Sequence, residues 1–342
     1  MLVVVFSFLA LVITSSVTAD APPITDELRA LIEAWAPLVW IHPEDPFFPS
    51  SIEFHFEHVE LRNSDESVVQ SFVNRSSLMT GDETGGMHLN TVPDLECADC
   101  LQDLFFGERV ENGGVPCYAY VKDWQDACET VDVSYRFFYP YNFGKYICIG
   151  IPINGSCDGY VQSFGNHVGD WEHFAIRIRG GEVIRAYSAV HDFGAHYQWN
   201  SETNNFFFTE GEPGTFGSEI PYGETIEVVE GFHSEVFSAN GSHGTWTKEG
   251  THVYMKLPLH LEDHTARGVA WRTWENLEIV GVDDNTEWSG DLQYLGYRGI
   301  WGNLKRGCEV EPVSGECILV NAPALGNGMP GDFPDDCQKT YF

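Results

Sequence analysis

The 342-residue chain carries 51 acidic side chains against 18 lysines and arginines, a formal charge of −33. That balance excludes a nucleic-acid partner, because such a chain is repelled by every phosphate. Aromatic residues make up 14% and glycines number 34, which suits short strands joined by tight turns and argues against a helical bundle.

Residues 1–19 read as a signal peptide. Leu2 to Ile13 are apolar apart from Ser7, a stretch too short to span a bilayer, and Val17-Thr18-Ala19 fits a small-x-small cleavage site. The mature domain, 20–342, is expected to be secreted, with the vacuolar or secretory-pathway lumen as the alternative. A helix is expected from Asp26, capped by Thr25, with Leu28, Leu31, Ile32 and Trp35 at helical spacing and Pro37 ending it. A short strand follows at 38–41, then a proline-punctuated turn region, then alternation at 52–61.

Residues 75–130 hold four cysteines and little periodicity, and read as a cysteine-containing insertion. Strand signals then run at 133–141, 171–179, 182–191, 205–209, 225–231, 252–256 and 277–280. The expected fold is mainly β: one antiparallel β-sandwich-like domain with an N-terminal helix.

Nine cysteines in an exported chain read as disulfides with at least one left over. Spacing suggests Cys117–Cys128, Cys148–Cys157 and a pair among Cys308, Cys317 and Cys337. Cys97 and Cys100 form a lone C-x-x-C with no second pair to complete a zinc site, so a disulfide role is expected there too. Sequons at Asn74, Asn154 and Asn240 mark candidate glycosylation sites.

The segment from Asn166 to Asp192 carries the chemistry. Read as a strand, it places Asp170 and Glu172 on one face with Phe174, Ile176 and Ile178, and Trp171, His173, Ala175 and Arg177 on the other. Gly180-Gly181 is a two-residue hairpin loop, so residues whose numbers sum to 361 should face each other, Asp170 opposite His191. Asp170, Glu172, His167, His173, His191 and Asp192 form a candidate divalent-cation set. Oxygen ligands favour Ca²⁺, Mg²⁺ or Mn²⁺, and added imidazoles shift preference toward Mn²⁺ or Zn²⁺. The same residues could serve as a general acid–base pair or as a structural hydrogen-bond network. Ser242-His243, in a Gly-rich turn, is a candidate additional member. No G-x-S-x-G elbow supports a serine hydrolase.

Several blocks occur in a telling order. They are Ala36 to Pro43 with Phe48 to Ser51, Tyr135 to Asn142, Gly165 to His173, Gly241 to Gly244, Trp271 to Leu277 and Tyr297 to Asn303. Together they resemble the vacuolar protein sorting-associated protein 62 family, which includes the plant proteins of "domain of unknown function 946". The resemblance implies kinship over roughly residues 34–335 and brings no established catalytic activity with it. The Asp170-Trp171-Glu172 core is also similar to the heptapeptide of secreted necrosis-inducing-like toxins, which implies a cation site on a β-sandwich. His167 matches the toxin histidine three places before the Asp. Gly169 stands where those toxins have a second histidine, and His173 or His191 is the candidate replacement.

Three functions are therefore carried forward. The first is a cation-binding protein acting at an extracellular surface, membrane or glycan, as an effector or toxin. The second is a metal-assisted or acid–base hydrolase of an extracellular polymer. The third is a non-catalytic binding or sorting module.

Overall fold

The computed structural model describes residues 23–92, 103–153, 156–191, 193–213, 219–255, 260–283, 288–304, 333–334 and 337. The proposed signal peptide, Asn154, Asp192, Cys97, Cys100, Cys308 and Cys317 lie outside the described residues. Among the described residues, no helix is long and apolar enough to cross a membrane.

Helix α1 (Asp26–Trp35) begins as its sequence specifies: the Leu28 N–H donates to Thr25 Oγ1 at 3.2 Å. It buries Ile32 and Trp35. Strand β1 (Leu38–Ile41) follows, then a single helical turn, α2 (Ile52–Phe56), where alternation predicted a strand. Ser51 caps this turn by accepting the Phe54 N–H.

The first strands after it are β2 (Val59–Arg62), β3 (Val68–Gln70), β4 (His88–Thr91) and β5 (Cys117–Asp123). Next come β6 (Thr130–Asn142), β7 (Lys145–Ile153), β8 (Ser156–Phe164), β9 (His167–Arg179) and β10 (Glu182–Val190). Then follow β11 (Phe193–Asn200), β12 (Asn205–Gly211), β13 (Thr225–Val229), β14 (His233–Ser238) and β15 (Thr245–Trp246). The last are β16 (Gly250–Met255), β17 (Leu261–Thr265), β18 (Val269–Arg272) and β19 (Leu277–Gly281).

Twelve strands form one curled sheet in the order β18-β1-β14-β13-β12-β11-β10-β9-β6-β5-β19, with β15 paired to β14. Its ladders are antiparallel except for β1 with β14 and β19 with β5. Alternate residues of the central strands feed two cores. Val133, Tyr135, Phe137 and Tyr139 of β6 face one, with Phe174, Ile176 and Ile178 of β9. Phe138, Tyr141 and Trp171 face the other, beneath α2 and the small sheet β3-β2-β4. Each fully buried aromatic or aliphatic side chain contributes about 1.5–3 kcal/mol, so a strand apolar on both faces anchors both layers. Strand β5 lies inside the segment read as an insertion, yet it belongs to the large sheet, between β6 and the edge strand β19.

The β9–β10 hairpin turns at Gly180 and Gly181, both in the left-handed region (φ 56° and 81°), as a tight turn of this kind requires. Glu182 faces Arg179 and Val183 faces Ile178, the predicted sum of 361. A bulge at Ile184 then moves every later pair by one, so that Ser188 faces Phe174. The expected direct pairing of Asp170 with His191 is therefore corrected: the ladder runs one residue out of that register.

Two disulfides fall among the described residues. Cys148–Cys157 forms as predicted. Cys157 sits opposite Pro152 in the β7–β8 ladder, four residues from Cys148, a span of about 13 Å in a flat ribbon. The observed Cα separation is 5.5 Å, so the ribbon folds back on itself. The second bond is Cys128–Cys337, not Cys117–Cys128. Cys117 is buried and free because it is the first inward residue of β5, followed on the same face by Ala119 and Val121. The Cys128–Cys337 bond pins the chain's far end to the outer sheet face. There Phe333 packs on Ala175, Tyr187 and Ala189, and Arg177 donates to Asp132 and to the Pro334 carbonyl.

Candidate functional site

Asp170 and Glu172 project from β9 onto one face and are 6% and 7% exposed. They lie within the strand, since β9 starts at His167 and Tyr139 of β6 pairs with Asp170. The two carboxylates therefore come from the strand itself and not from the loop before it. Gly169 precedes Asp170 with φ 72°, and a Cβ there would stand 2.3 Å from the Trp301 carbonyl oxygen. That approach explains why no second histidine stands before the Asp: the backbone leaves no room for one.

His191 follows β10 with φ 51°, and His243 sits in the turn between β14 and β15 with φ 58°. A left-handed histidine costs on the order of 1 kcal/mol or more, and such strain gathers where surrounding contacts fix it. The His243 turn is fixed by its own N–H donating to the Ala239 carbonyl and by the Gly241 N–H donating to Asp45 Oδ2 at 2.8 Å.

The His243 imidazole is fully buried and stacks on Tyr139 with ring centroids 3.8 Å apart and planes 5° from parallel. Its Nδ1 lies 3.6 Å from Asp170 Oδ2 and its Nε2 lies 3.7 Å from Asp45 Oδ2. These distances are electrostatic contacts beyond hydrogen-bond range, and among the described residues neither ring nitrogen has a hydrogen-bond partner. Two buried carboxylates thus flank one buried ring.

His167 and His191 complete the surroundings of Asp170. His167 Nδ1 lies 3.0 Å from the Gly169 carbonyl, so that nitrogen carries the proton and Nε2 keeps its lone pair. His191 Nε2 lies 2.9 Å from Asp263 Oδ2. Burial by itself would raise the Asp170 carboxyl, but the imidazoles of His243, His167 and His191 outweigh it and hold its pKa below the ordinary carboxylate value. Burial lowers His167, partly offset by Asp170.

A second buried carboxylate, Asp263 of β17, supports the site from beneath. It accepts from Ser242 Oγ at 2.7 Å, Trp246 Nε1 at 2.9 Å and His191 Nε2, and pairs with Lys145 Nζ at 2.7 Å. Burial opposes its charge, yet His191 and Lys145 hold its pKa well below the usual range. The Ser242 hydroxyl donates to Asp263, not to His243, so the pair is not a nucleophile with its base.

Of the predicted residues, Asp170, His167, His191 and His243 come together, with Glu172 beside Asp170 on the same face. His173 does not join them. It faces the opposite side of the sheet, its ring 6.0 Å from Tyr187, because adjacent strand residues alternate. Asp192 is outside the described residues. Asp45, Tyr139, Lys145 and Asp263 belong to the cluster and were not singled out from sequence. Asp45 alone had a local signal: it accepts the Phe47 N–H two residues on, the turn-forming habit of Asp next to proline.

The donor types in the cluster, carboxylate and imidazole, are of the kinds a divalent cation takes. His243 has two orphaned buried nitrogens, and each of the three histidines turns one nitrogen toward an oxygen, the arrangement that orients ligating imidazoles. The set is open: among the described residues, the one trio of ligand atoms within 4.8 Å of one another is Asp126, Cys128 and Cys337, whose cysteines are disulfide-bonded. Of the sequons, Asn74 is exposed and Asn240 half-buried.

Vacuolar protein sorting-associated protein 62 of Saccharomyces cerevisiae is 24% identical over 303 residues, covering 78% of this chain and 58% of that protein. A putative vacuolar protein sorting-associated protein, TDA6, of the same yeast is 24% identical over 307 residues, covering 81% of this chain and 61% of its own. The chain thus spans about three-fifths of the length of these relatives. Among solved structures, the Necrosis and Ethylene inducing Protein 2 from the causal agent of cocoa's Witches Broom disease aligns with a TM-score of 0.29 at 10% identity, covering 77% of this chain and 76% of that one. The non-toxic HaNLP3 protein aligns at 0.32 and 10%, covering 81% and 82%. Likeness at those scores carries nothing about the site. The family model for vacuolar protein sorting-associated protein 62 matches residues 8–213, more than half of the chain, and the chain belongs to that family.

Proposed function

We propose that this protein is exported and binds one divalent cation at Asp170 and Glu172, with His243, His167 and His191 around it, and acts at an extracellular or lumenal surface. The observation that carries this reading is the His243 ring, buried between two carboxylates with neither nitrogen hydrogen-bonded. A buried polar atom left without a partner costs roughly 1–3 kcal/mol, and a ligand that engages it recovers that cost. Bound there, a cation would supply a fixed positive charge able to hold an anionic or hydroxyl-bearing group at the surface. This chain's part is to hold the carboxylates ionised and the rings oriented, through Asp263 under His191, Asp45 behind His243 and the Gly169 carbonyl at His167. An exported, lumenal protein also agrees with the sorting association in the relatives' names.

The test is thermal unfolding of the metal-stripped mature protein with Ca²⁺, Mg²⁺, Mn²⁺ or Zn²⁺ added. An ion that binds only the folded state raises Tm, and at a hundredfold excess over Kd it adds about 2.7 kcal/mol. No shift with any of the four, together with no metal by elemental analysis, removes the reading. One observation favours a structural alternative: among the described residues, the ligand atoms of this cluster do not converge within 4.8 Å of one another. In that case Asp170→Ala lowers stability and leaves surface binding per folded molecule unchanged.

A further inference from the structure

The outer face of the large sheet is covered in two different ways. Phe138 and Trp171 lie beneath α2 and the small sheet. Farther along the same face, Ala175, Tyr187 and Ala189 are also buried, but among the described residues their cover is neither helix nor strand. It is one ring, that of Phe333. The seat fits an aromatic side chain: the two alanines leave a hollow, and Tyr187 and His196 wall it with centroids 6.4 and 6.0 Å from the Phe333 ring. The Arg177 guanidinium lies 5.0 Å over that ring. Arg177 is buried and fixed by two bonds to Asp132, and its Nη1 donates to the Pro334 carbonyl at 2.6 Å. Pro334 has no N–H, so its nitrogen needs no strand partner here.

The face carries charge opposite to that of the whole chain. Cross-strand partners share a face, so Lys122, Asp132, Arg177 and Arg185 form one row across β5, β6, β9 and β10, with Arg136 and Arg179 on the same side. On these strands five bases stand against Asp132 and Glu182, in a protein of formal charge −33. The sequence around the seated ring is the converse: Gly331-Asp332-Phe333-Pro334-Asp335-Asp336 holds three carboxylates and no base. Cys337, four residues beyond Phe333, ties it to Cys128.

We infer that this face is a docking groove for an acidic peptide segment carrying Phe-Pro, that Phe333-Pro334 occupies it in cis, and that the Cys128–Cys337 bond keeps other chains out. The hollow selects the ring, Arg177 selects the carbonyl after it, and the surrounding bases select the flanking carboxylates. The bond acts through effective concentration. With it, the ring is tethered four residues away; without it, the nearest described residue in the chain is Leu304, 29 residues before Phe333. Effective concentration falls roughly as the −3/2 power of tether length, so opening the bond lowers that of the occupant about twentyfold. The groove lies on the face opposite Asp170 and uses no residue of the cation cluster.

The test titrates a fluorescent peptide, Gly-Asp-Phe-Pro-Asp-Asp, against the intact mature protein and against Cys128→Ser with Cys337→Ser. The double variant is expected to bind about twentyfold more tightly than the parent. Alanine for the peptide's phenylalanine is expected to weaken binding at least tenfold, the share of one buried ring. Asparagine for its three aspartates is expected to weaken it and to remove most of its salt dependence. Asp170→Asn is expected to change none of this. If the double variant does not fold, Phe333→Ala with the disulfide intact empties the seat and is expected to bind the peptide where the parent does not. Equal affinity of parent and folded double variant overturns the inference. So does the absence of saturable binding to whichever variant folds, or an alanine peptide that binds as well as the phenylalanine one.

Discussion

Replacing Asp263 by Asn tests how the site is held. The carboxylate is fully buried and meets four donors: Lys145 Nζ at 2.7 Å, Ser242 Oγ at 2.7 Å, and Trp246 Nε1 and His191 Nε2 at 2.9 Å. Removing one partner of a buried ion pair costs about 3–5 kcal/mol, because the remaining charge is left uncompensated. Asn keeps the volume and one acceptor oxygen, and its amide N–H₂ then faces a donor. Lys145 and His191 keep 19% and 25% side-chain exposure, so water reaches them and softens the loss. The expected net cost is about 3 kcal/mol by urea unfolding at neutral pH under non-reducing conditions. The gap between parent and variant also depends on pH in a fixed direction. A depressed carboxyl contributes stability that is present above its unfolded value of about 4 and is lost as pH falls through its lower folded value. The gap must therefore shrink below about pH 4. A loss under about 1 kcal/mol, or a gap that widens in acid, would refute the assignment of Asp263 as the charge that organises Lys145 and His191.

Three further outcomes are expected. Burial pushes the His55 and His252 pKa values down to about 3 and about 4, so each stays neutral in the fold while the unfolded chain binds a proton near pH 6.5. Stability should fall from about pH 6.5 downward by up to about 1.4 kcal/mol per pH unit for each ring, and His55→Gln should flatten that slope. Gly169→Ala places a Cβ against the Trp301 carbonyl oxygen at a left-handed position, and should cost about 2 kcal/mol or more in calorimetry, whereas Gly→Ala at a compatible site is neutral or stabilising. Cys128→Ser should cost about 2–5 kcal/mol, while Cys117→Ser should leave the number of disulfides per chain unchanged on mass analysis.

Local features were legible in the sequence wherever a local rule governs them. The Thr25 cap, the Gly180-Gly181 turn and the shared face of Asp170 and Glu172 follow from neighbours in the chain. The helical turn at Ile52–Phe56 imitates a strand in sequence, because Ile52, Phe54 and Phe56 alternate, although Ile52, His55 and Phe56 are the buried set at helical spacing. The Ile184 bulge leaves no mark on periodicity and moved the hairpin register by one. The alternation that joins Asp170 to Glu172 also sends His173 to the other face. Asp45, Lys145 and Asp263 meet the cluster only through packing: Lys145 lies 97 residues from Ser242, and Asp45 lies 196 from Gly241. No local pattern joins residues so far apart, which is why half of the site was visible and its supports were not. The same holds for Cys128, whose partner is 209 residues away while Cys117 stands nearer and apart.

The central claim is that Asp170 and the histidines around it hold a divalent cation. Anomalous diffraction from crystals of the metal-stripped mature protein soaked in Mn²⁺ tests it most directly. The account predicts one peak within bonding distance of the Asp170 carboxylate and at least one of the His167, His191 and His243 rings, lost in Asp170→Asn and kept in His173→Ala. A saturating soak that leaves no density beside Asp170, or that places the ion on the His173 face of the sheet, would contradict it.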